Sequence, residues 1–278
     1  TWQALLAGKS GAAPITAFDA SAHKTRFAAE VKDFDPAALF GTRDARKMDR
    51  FTQLATAATL EALAQSGLVI DESNRDRVGI LIGSGIGGIL TLVEQYEVMR
   101  QRGPDRVSPF LIPMMISDGA AGNIAIRVGA RGPNMSLATA CASGTNSLGE
   151  AAEMIRRGSA DVMVAGASEA AIIAIAMAGM NVMTALSTRN DNPQKASRPF
   201  DKDRDGFMMG EGAGVLVLES LEYAQARGAN ILCEFTGYGT TDDAHHISAP
   251  SEDGAGAANS MRLAIESWCV EKEMPIER

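Results

Sequence analysis

RVGILIGSGIGGILTLVEQYEVMRQRG, residues 77–103, decides the fold. Its first nine residues form an apolar run of the kind that fills a strand covered on both faces. Residues 88–103 then change to helical spacing, and Gly103-Pro104 stops the helix. The same strand-to-helix change recurs along the chain. NMSLATA leads into a helix over 142–157, ADVMVAGAS at 160–168 reads as a strand, and GAGVLVLES at 212–220 as another, followed by a short helix through Arg227. Strands alternating with helices predict an α/β fold with a mostly sandwiched sheet.

Outward from this centre, residues 47–68 place Met48, Phe51, Leu54, Ala55, Ala58 and Leu63 on one helical face, with Gly67 as the stop. Residues 114–129 predict one more helix, 231–239 (ILCEFTGYG) a strand and 256–270 a final helix. The apolar run AAIIAIAMAGM at 170–180 is too short to span a bilayer and is expected to be core. The best internal boundary is the turn at Arg227-Gly228. This divides the chain into 1–228 and 229–278.

Composition narrows the function classes. In 278 residues there are 46% hydrophobic and 22% charged side chains, an ordinary soluble balance. A net charge of −8 argues against a nucleic-acid partner, and an acidic partner would have to meet a local basic patch. Three cysteines, an odd number, do not make a disulfide framework and point to a reducing, cytoplasmic setting. No signal peptide is legible at the start, and neither a membrane association nor a cofactor or metal is expected.

The chemistry centres on Cys141 in NMSLATACASGTNSLGEAAEMIRRG, residues 134–158. Small residues Ala138 and Ala140 end a strand expected to be buried, and a helix begins directly after the thiol. The positive end of a helix dipole favours a thiolate, and helix-start N–H groups offer part of an oxyanion hole. Taken alone, Cys141 would more often be a small core residue. GSGIGG at 83–88 also satisfies G-x-G-x-x-G, so a dinucleotide site is the rival from another class. The acidic residue that should end a second strand about twenty residues on is missing there; the chain runs through a helix into Gly103-Pro104-Asp105.

Six segments tip this balance. TACASGTNSLGEA at 139–151 resembles the nucleophile motif of the β-ketoacyl-[acyl carrier protein] synthases. IGSGIGG at 82–88, SPFLIP at 108–113, ADVMVAGASEA at 160–170, ALSTRNDNPQKASRPFDKDRDGF at 185–207 and GEGAGVLVLE at 210–219 resemble the same family in order. STRNDNP and RPFDKDRDGF favour its elongating, synthase II group.

The resemblance implies a thiolase-like fold of five layers, α-β-α-β-α, built from two similar halves and working as a homodimer. It implies transfer of an acyl group from carrier-protein phosphopantetheine to Cys141, then decarboxylative condensation with malonyl-carrier protein. Ile86, Met180 and Phe207 would line the acyl pocket, with Leu111 reaching in from the partner subunit, and Ser248 would lie on the pantetheine side. Arg43, Arg46 and Lys47 would dock acyl carrier protein; with Arg50 they would form one basic stripe if the helix at 47–68 reached back to them.

The family's two catalytic histidines belong to an HGT and a GH motif. This sequence has only His23, His245 and His246, in neither motif. It is therefore expected to hold the first fold half and the start of the second, and by itself to release no β-ketoacyl product. His246 is expected to be structural. A polyketide-type ketosynthase is an alternative, as is a non-catalytic partner subunit, although such subunits typically replace the cysteine.

Overall fold

A computed structural model of the protein describes residues 2–271. The chain opens with α1 (Trp2–Leu6) and a two-stranded antiparallel ribbon, β1 (Ala13–Pro14) with β2 (Phe27–Ala28). The short helices α2 (Pro36–Phe40) and α3 (Thr42–Ala45) precede α4 (Arg50–Ser66). Then follow β3 (Val78–Gly83), α5 (Ile89–Arg102), α6 (Leu111–Met115), α7 (Gly119–Val128) and β4 (Asn134–Met135). After these come α8 (Ser143–Arg156), β5 (Val162–Glu169), α9 (Ala174–Val182), β6 (Gly212–Glu219), α10 (Leu221–Ala226) and α11 (Ala255–Glu271).

The main sheet has the order β4-β3-β5-β6. β3 is parallel to both β4 and β5, and β6 is antiparallel to β5. Alternation along β3 sorts its side chains between two layers. Val78, Ile80 and Ile82 join Phe51, Leu54 and Ala55 of α4 and Ala120, Ala121 and Ile124 of α7 on one face. Leu81 points the other way, into a cluster with Ala151 and Met154 of α8. β5 divides likewise, with Val162 and Val164 on the α4 face and Met163 and Ala165 on the α8 face. The six residues of β3 are all buried, which is what the unbroken apolar run requires.

α4 starts later than the hydrophobic spacing suggests. Asp49 is its N-cap, with extended backbone (φ −64°, ψ 160°) and a carboxylate that accepts from Phe51 N–H at 3.3 Å. Gly67 closes it in the left-handed conformation at φ 64°. The helix therefore stops short of residues 43–47, and the continuous basic stripe is not formed. Arg50 is drawn away as well: its guanidinium donates to both oxygens of Glu211, at 2.7 and 2.6 Å, and to Val31 C=O at 3.1 Å.

Other expectations give way to tertiary context. The helix expected at 114–129 is two, because Ile116 takes an extended conformation (φ −66°, ψ 143°) between α6 and α7. In the segment expected as a buried strand, only Asn134 and Met135 pair with β3, and both are exposed, since β4 is the sheet's edge. β6 is partly exposed rather than buried, pairing among the described residues with β5 alone.

The apolar run at 170–180 buries Ala170 to Ile173 and, in α9, Met177, but leaves Ile175 exposed. Residues 231–239 form no strand among the described residues, because a strand needs a ladder partner. They lie instead against α8, where the absent side chain of Gly149 makes room for the Tyr238 ring. The turn at 227–228 is present, with Gly228 at φ 68°.

Candidate active site

Cys141 sits in a single 3₁₀ turn, residues 140–142, that opens directly into α8. Its side chain is exposed. Upstream, Ser84 N–H donates to Leu137 C=O at 3.1 Å, so the chain stays beside β3 for two residues beyond β4 before turning. The turn is tight: Ala140 has φ 49°, a left-handed conformation that costs a residue with a Cβ about 1–2 kcal/mol.

Ser143 holds that conformation. Its buried hydroxyl accepts from Thr139 N–H at 3.0 Å and donates to Ala140 C=O at 2.7 Å, bridging the turn across Cys141. α8 then packs hard on the sheet through small residues. A Cβ on Gly83 would lie 2.6 Å from Ser147 Oγ and 2.8 Å from Ser143 C=O.

The glycine-rich loop after β3 runs alongside. A Cβ on Gly85 would lie 3.5 Å from Ala140 C=O, so the loop backbone borders the turn that carries Cys141. Its amides are already engaged. Gly85 and Ile86 N–H donate to Glu169 Oε2 at 2.9 and 3.1 Å, Gly87 N–H donates to Ser84 Oγ at 2.8 Å, and Gly88 N–H donates to Met115 C=O at 2.9 Å. A phosphate-binding loop needs those N–H groups directed at its ligand. The dinucleotide alternative therefore fails here, on the carboxylate that occupies the loop. Burial pushes the Glu169 carboxyl above its ordinary range, while the hydrogen bonds from Gly85, Ile86 and Ser84 pull it back.

A family profile described as β-ketoacyl synthase, N-terminal domain, matches residues 1–224. The chain belongs to the β-ketoacyl synthase family. It is 49% identical over 273 residues to 3-oxoacyl-[acyl-carrier-protein] synthase 2 of Synechocystis sp., covering 98% of this chain and 66% of that protein. It is 50% identical over 265 residues to the synthase 2 of Vibrio cholerae, covering 95% and 64%. The chain thus spans slightly less than two thirds of the length of these relatives. Among solved structures, one described as a type II polyketide acyl carrier protein in complex with its ketosynthase, bound to the hexaketide, superposes with a TM-score of 0.82 at 29% identity, covering 99% of this chain and 65% of the matched chain. The fold is thiolase-like.

The remaining expected site residues lie in the following places. Ile86 is 45% exposed at the tip of the glycine-rich loop, and Phe207 is 47% exposed. Gly206, just before Phe207, adopts φ 140° where the chain passes against residues 185–187, and Phe207 N–H donates to Ala185 C=O at 2.9 Å. Met180 is half-buried against a cluster containing Ile172, Met177 and Leu186. Leu111 begins α6 and is partly exposed. Ser248 is exposed in the 240–250 segment, where its N–H donates to His246 Nδ1 at 3.2 Å.

Arg43 and Arg46 are exposed on and just after α3, while Lys47 is partly buried, with its ammonium 5.5 Å from the centre of the Phe110 ring. Cys269 is buried in α11. Cys233, in a segment expected to be a strand with apolar neighbours, is exposed because no strand forms there.

Two side chains that hold the backbone around Cys141 are not legible in the sequence. Ser143 carried a weak signal, a hydroxyl two residues after the thiol. Glu169 carried a better one, a carboxylate closing an otherwise apolar strand, but its partners lie 83–85 residues away.

Proposed function

We propose that the protein is a condensing acyltransferase of the elongating type, a 3-oxoacyl-[acyl-carrier-protein] synthase of fatty-acid biosynthesis, with Cys141 as its nucleophile. The observation that carries this reading is an exposed thiol on a strained turn at the start of α8, in a chain about half identical to proteins of that name. In the first step the Cys141 thiolate attacks the thioester carbonyl of an acyl-carrier protein. The carrier leaves as its thiolate, which takes up a proton from solvent, and the acyl group remains on Sγ. In the second, malonyl-carrier protein loses carbon dioxide, its carbanion attacks the acyl-cysteine carbonyl, and Sγ departs as thiolate. No cofactor enters the electron balance.

We read residues 1–228 as the nucleophile-bearing half of the fold and 229–278 as the opening of the second. Ile86, Met180 and Phe207 form the acyl wall in this reading, with Leu111 from a partner subunit and Ser248 toward the pantetheine. Arg43, Arg46 and Lys47 meet the acidic carrier protein; the carrier–ketosynthase complex of the 29%-identical structure supports such a contact. A homodimer belongs to the same reading, since the acyl wall then takes Leu111 from the second subunit. Three unpaired cysteines support a reducing, cytoplasmic setting, and no helix among the described residues is long and apolar enough to cross a membrane.

Intact-mass measurement after incubation with acyl-carrier protein tests the first step. One acyl group is expected on the native chain and none on Cys141→Ala. Acylation that survives the substitution would refute Cys141 as the nucleophile.

A further inference from the structure

We propose that Glu169 is a positioning residue that governs acyl-chain preference by pinning the Gly85–Ile86 backbone beside the nucleophile turn. The inference rests on the reading of Ile86 as part of the acyl wall. Glu169 is the last residue of β5, and its backbone is fixed in register opposite Gly212 of β6. From that rigid base the carboxylate reaches across to the loop after β3. Oε2 accepts from Gly85 and Ile86 N–H, and Oε1 accepts from Ser84 Oγ–H at 3.3 Å. Ser84 Oγ in turn accepts from Gly87 N–H, so one carboxylate orders four successive residues directly or through one hydroxyl.

The fit is close on both sides. A Cβ on Gly85 would lie 3.0 Å from Glu169 Oε2 and 3.5 Å from Ala140 C=O, leaving the loop backbone held between the carboxylate and the nucleophile turn. Ile86 follows directly, with a side chain that packing leaves nearly half exposed. Its position is therefore set by its amide, and its amide is set by Glu169. A branched side chain on a pinned backbone can yield to a long acyl chain by rotation alone. On a released backbone the whole residue can move aside. Removing Glu169 should therefore favour long donors over short ones.

Glu169→Gln keeps the geometry, since its carbonyl oxygen can accept from both amides while its NH₂ donates to Ser84 Oγ. Glu169→Ala removes every acceptor. Losing a charge-assisted hydrogen bond corresponds to about tenfold or more in the local opening equilibrium. Hydrogen exchange at the Gly85 and Ile86 amides should thus accelerate by about tenfold in Glu169→Ala and by less than threefold in Glu169→Gln. In parallel, the ratio of long-chain to short-chain acylation of Cys141 should rise by about fivefold in the alanine variant only. Glu169→Asp, which withdraws the carboxylate by one methylene, gives the same two readouts should the alanine variant fail to fold.

Unchanged amide exchange, or an unchanged donor ratio in a variant whose amides are released, overturns the proposal. Should the native chain take up no acyl group at all, the functional reading falls. Amide exchange then still decides whether Glu169 holds the loop, and unchanged exchange overturns the proposal on its own.

Discussion

Replacing Gly83 by alanine adds one carbon at the point where β3 meets the helix that begins at the Cys141 turn. The new Cβ would lie 2.6 Å from Ser147 Oγ and 2.8 Å from Ser143 C=O. A side-chain hydroxyl can swing away, but the Ser143 carbonyl is helix backbone, one residue beyond the turn that holds Cys141. Relief must come from moving the first turn of α8 away from the sheet. Overpacking of this kind costs about 1–3 kcal/mol.

At about 2.1 cal/mol/K of unfolding entropy per residue, a chain of 278 residues has roughly 0.6 kcal/mol/K, so about 2 kcal/mol lowers Tm by about 3–4 °C. The effect on chemistry should be larger than that on stability. Ser143 is the residue whose hydroxyl ties Thr139 to Ala140, and a displacement of about 1 Å at a reacting group can cost about 10²-fold in rate.

Gly122→Ala in α7 is the matched control. Nothing lies within 4 Å of its added Cβ, and removing a helical glycine should stabilise by about 0.5–1 kcal/mol. Thermal unfolding and the rate of Cys141 acylation, followed by intact mass, are measured on both variants. Should Gly83→Ala keep its Tm within a degree and its rate within twofold, the close contact of α8 with β3 is not what positions the thiol.

Three further outcomes are expected. Ile86→Phe should block long acyl donors by tenfold or more while short ones still react, from the about 1–3 kcal/mol cost of an added aromatic; equal loss for a two-carbon and a long donor would show that Ile86 does not gate the pocket. Reversing Arg46 and Lys47 to Glu should raise KM for acyl-carrier protein and leave acyl-CoA turnover alone, since in the proposed reading these charges meet the carrier and not the acyl chain; parallel effects on both donors would mean damage to the fold. A thiol reagent under native conditions should label Cys141 and the exposed Cys233, and reach the buried Cys269 only on unfolding; native labelling of Cys269 would contradict the packing of α11.

Local patterns carried much of the architecture. The unbroken apolar run of β3, the buried face of α4 and its stop at Gly67, and the thiol at a strand-to-helix turn all depend on residues within a few positions of one another. Their physics is that of periodicity, capping and backbone conformation, which sequence spacing expresses directly. The six ordered motifs added the family to that reading.

Tertiary structure alone decided the rest. Whether 212–219 is buried depends on the strands beside it, and whether 231–239 is a strand depends on a partner for its backbone; neither is written in the segment itself. Arg50 could join a basic stripe or an ion pair, and Glu211, 161 residues away, takes it. The loop GSGIGG could cradle a phosphate or border a thiol, and Glu169 on a neighbouring strand occupies its amides. In each case the deciding group is distant in sequence and adjacent in space, because hydrogen bonds and charges respond to separation in ångströms and not to separation along the chain.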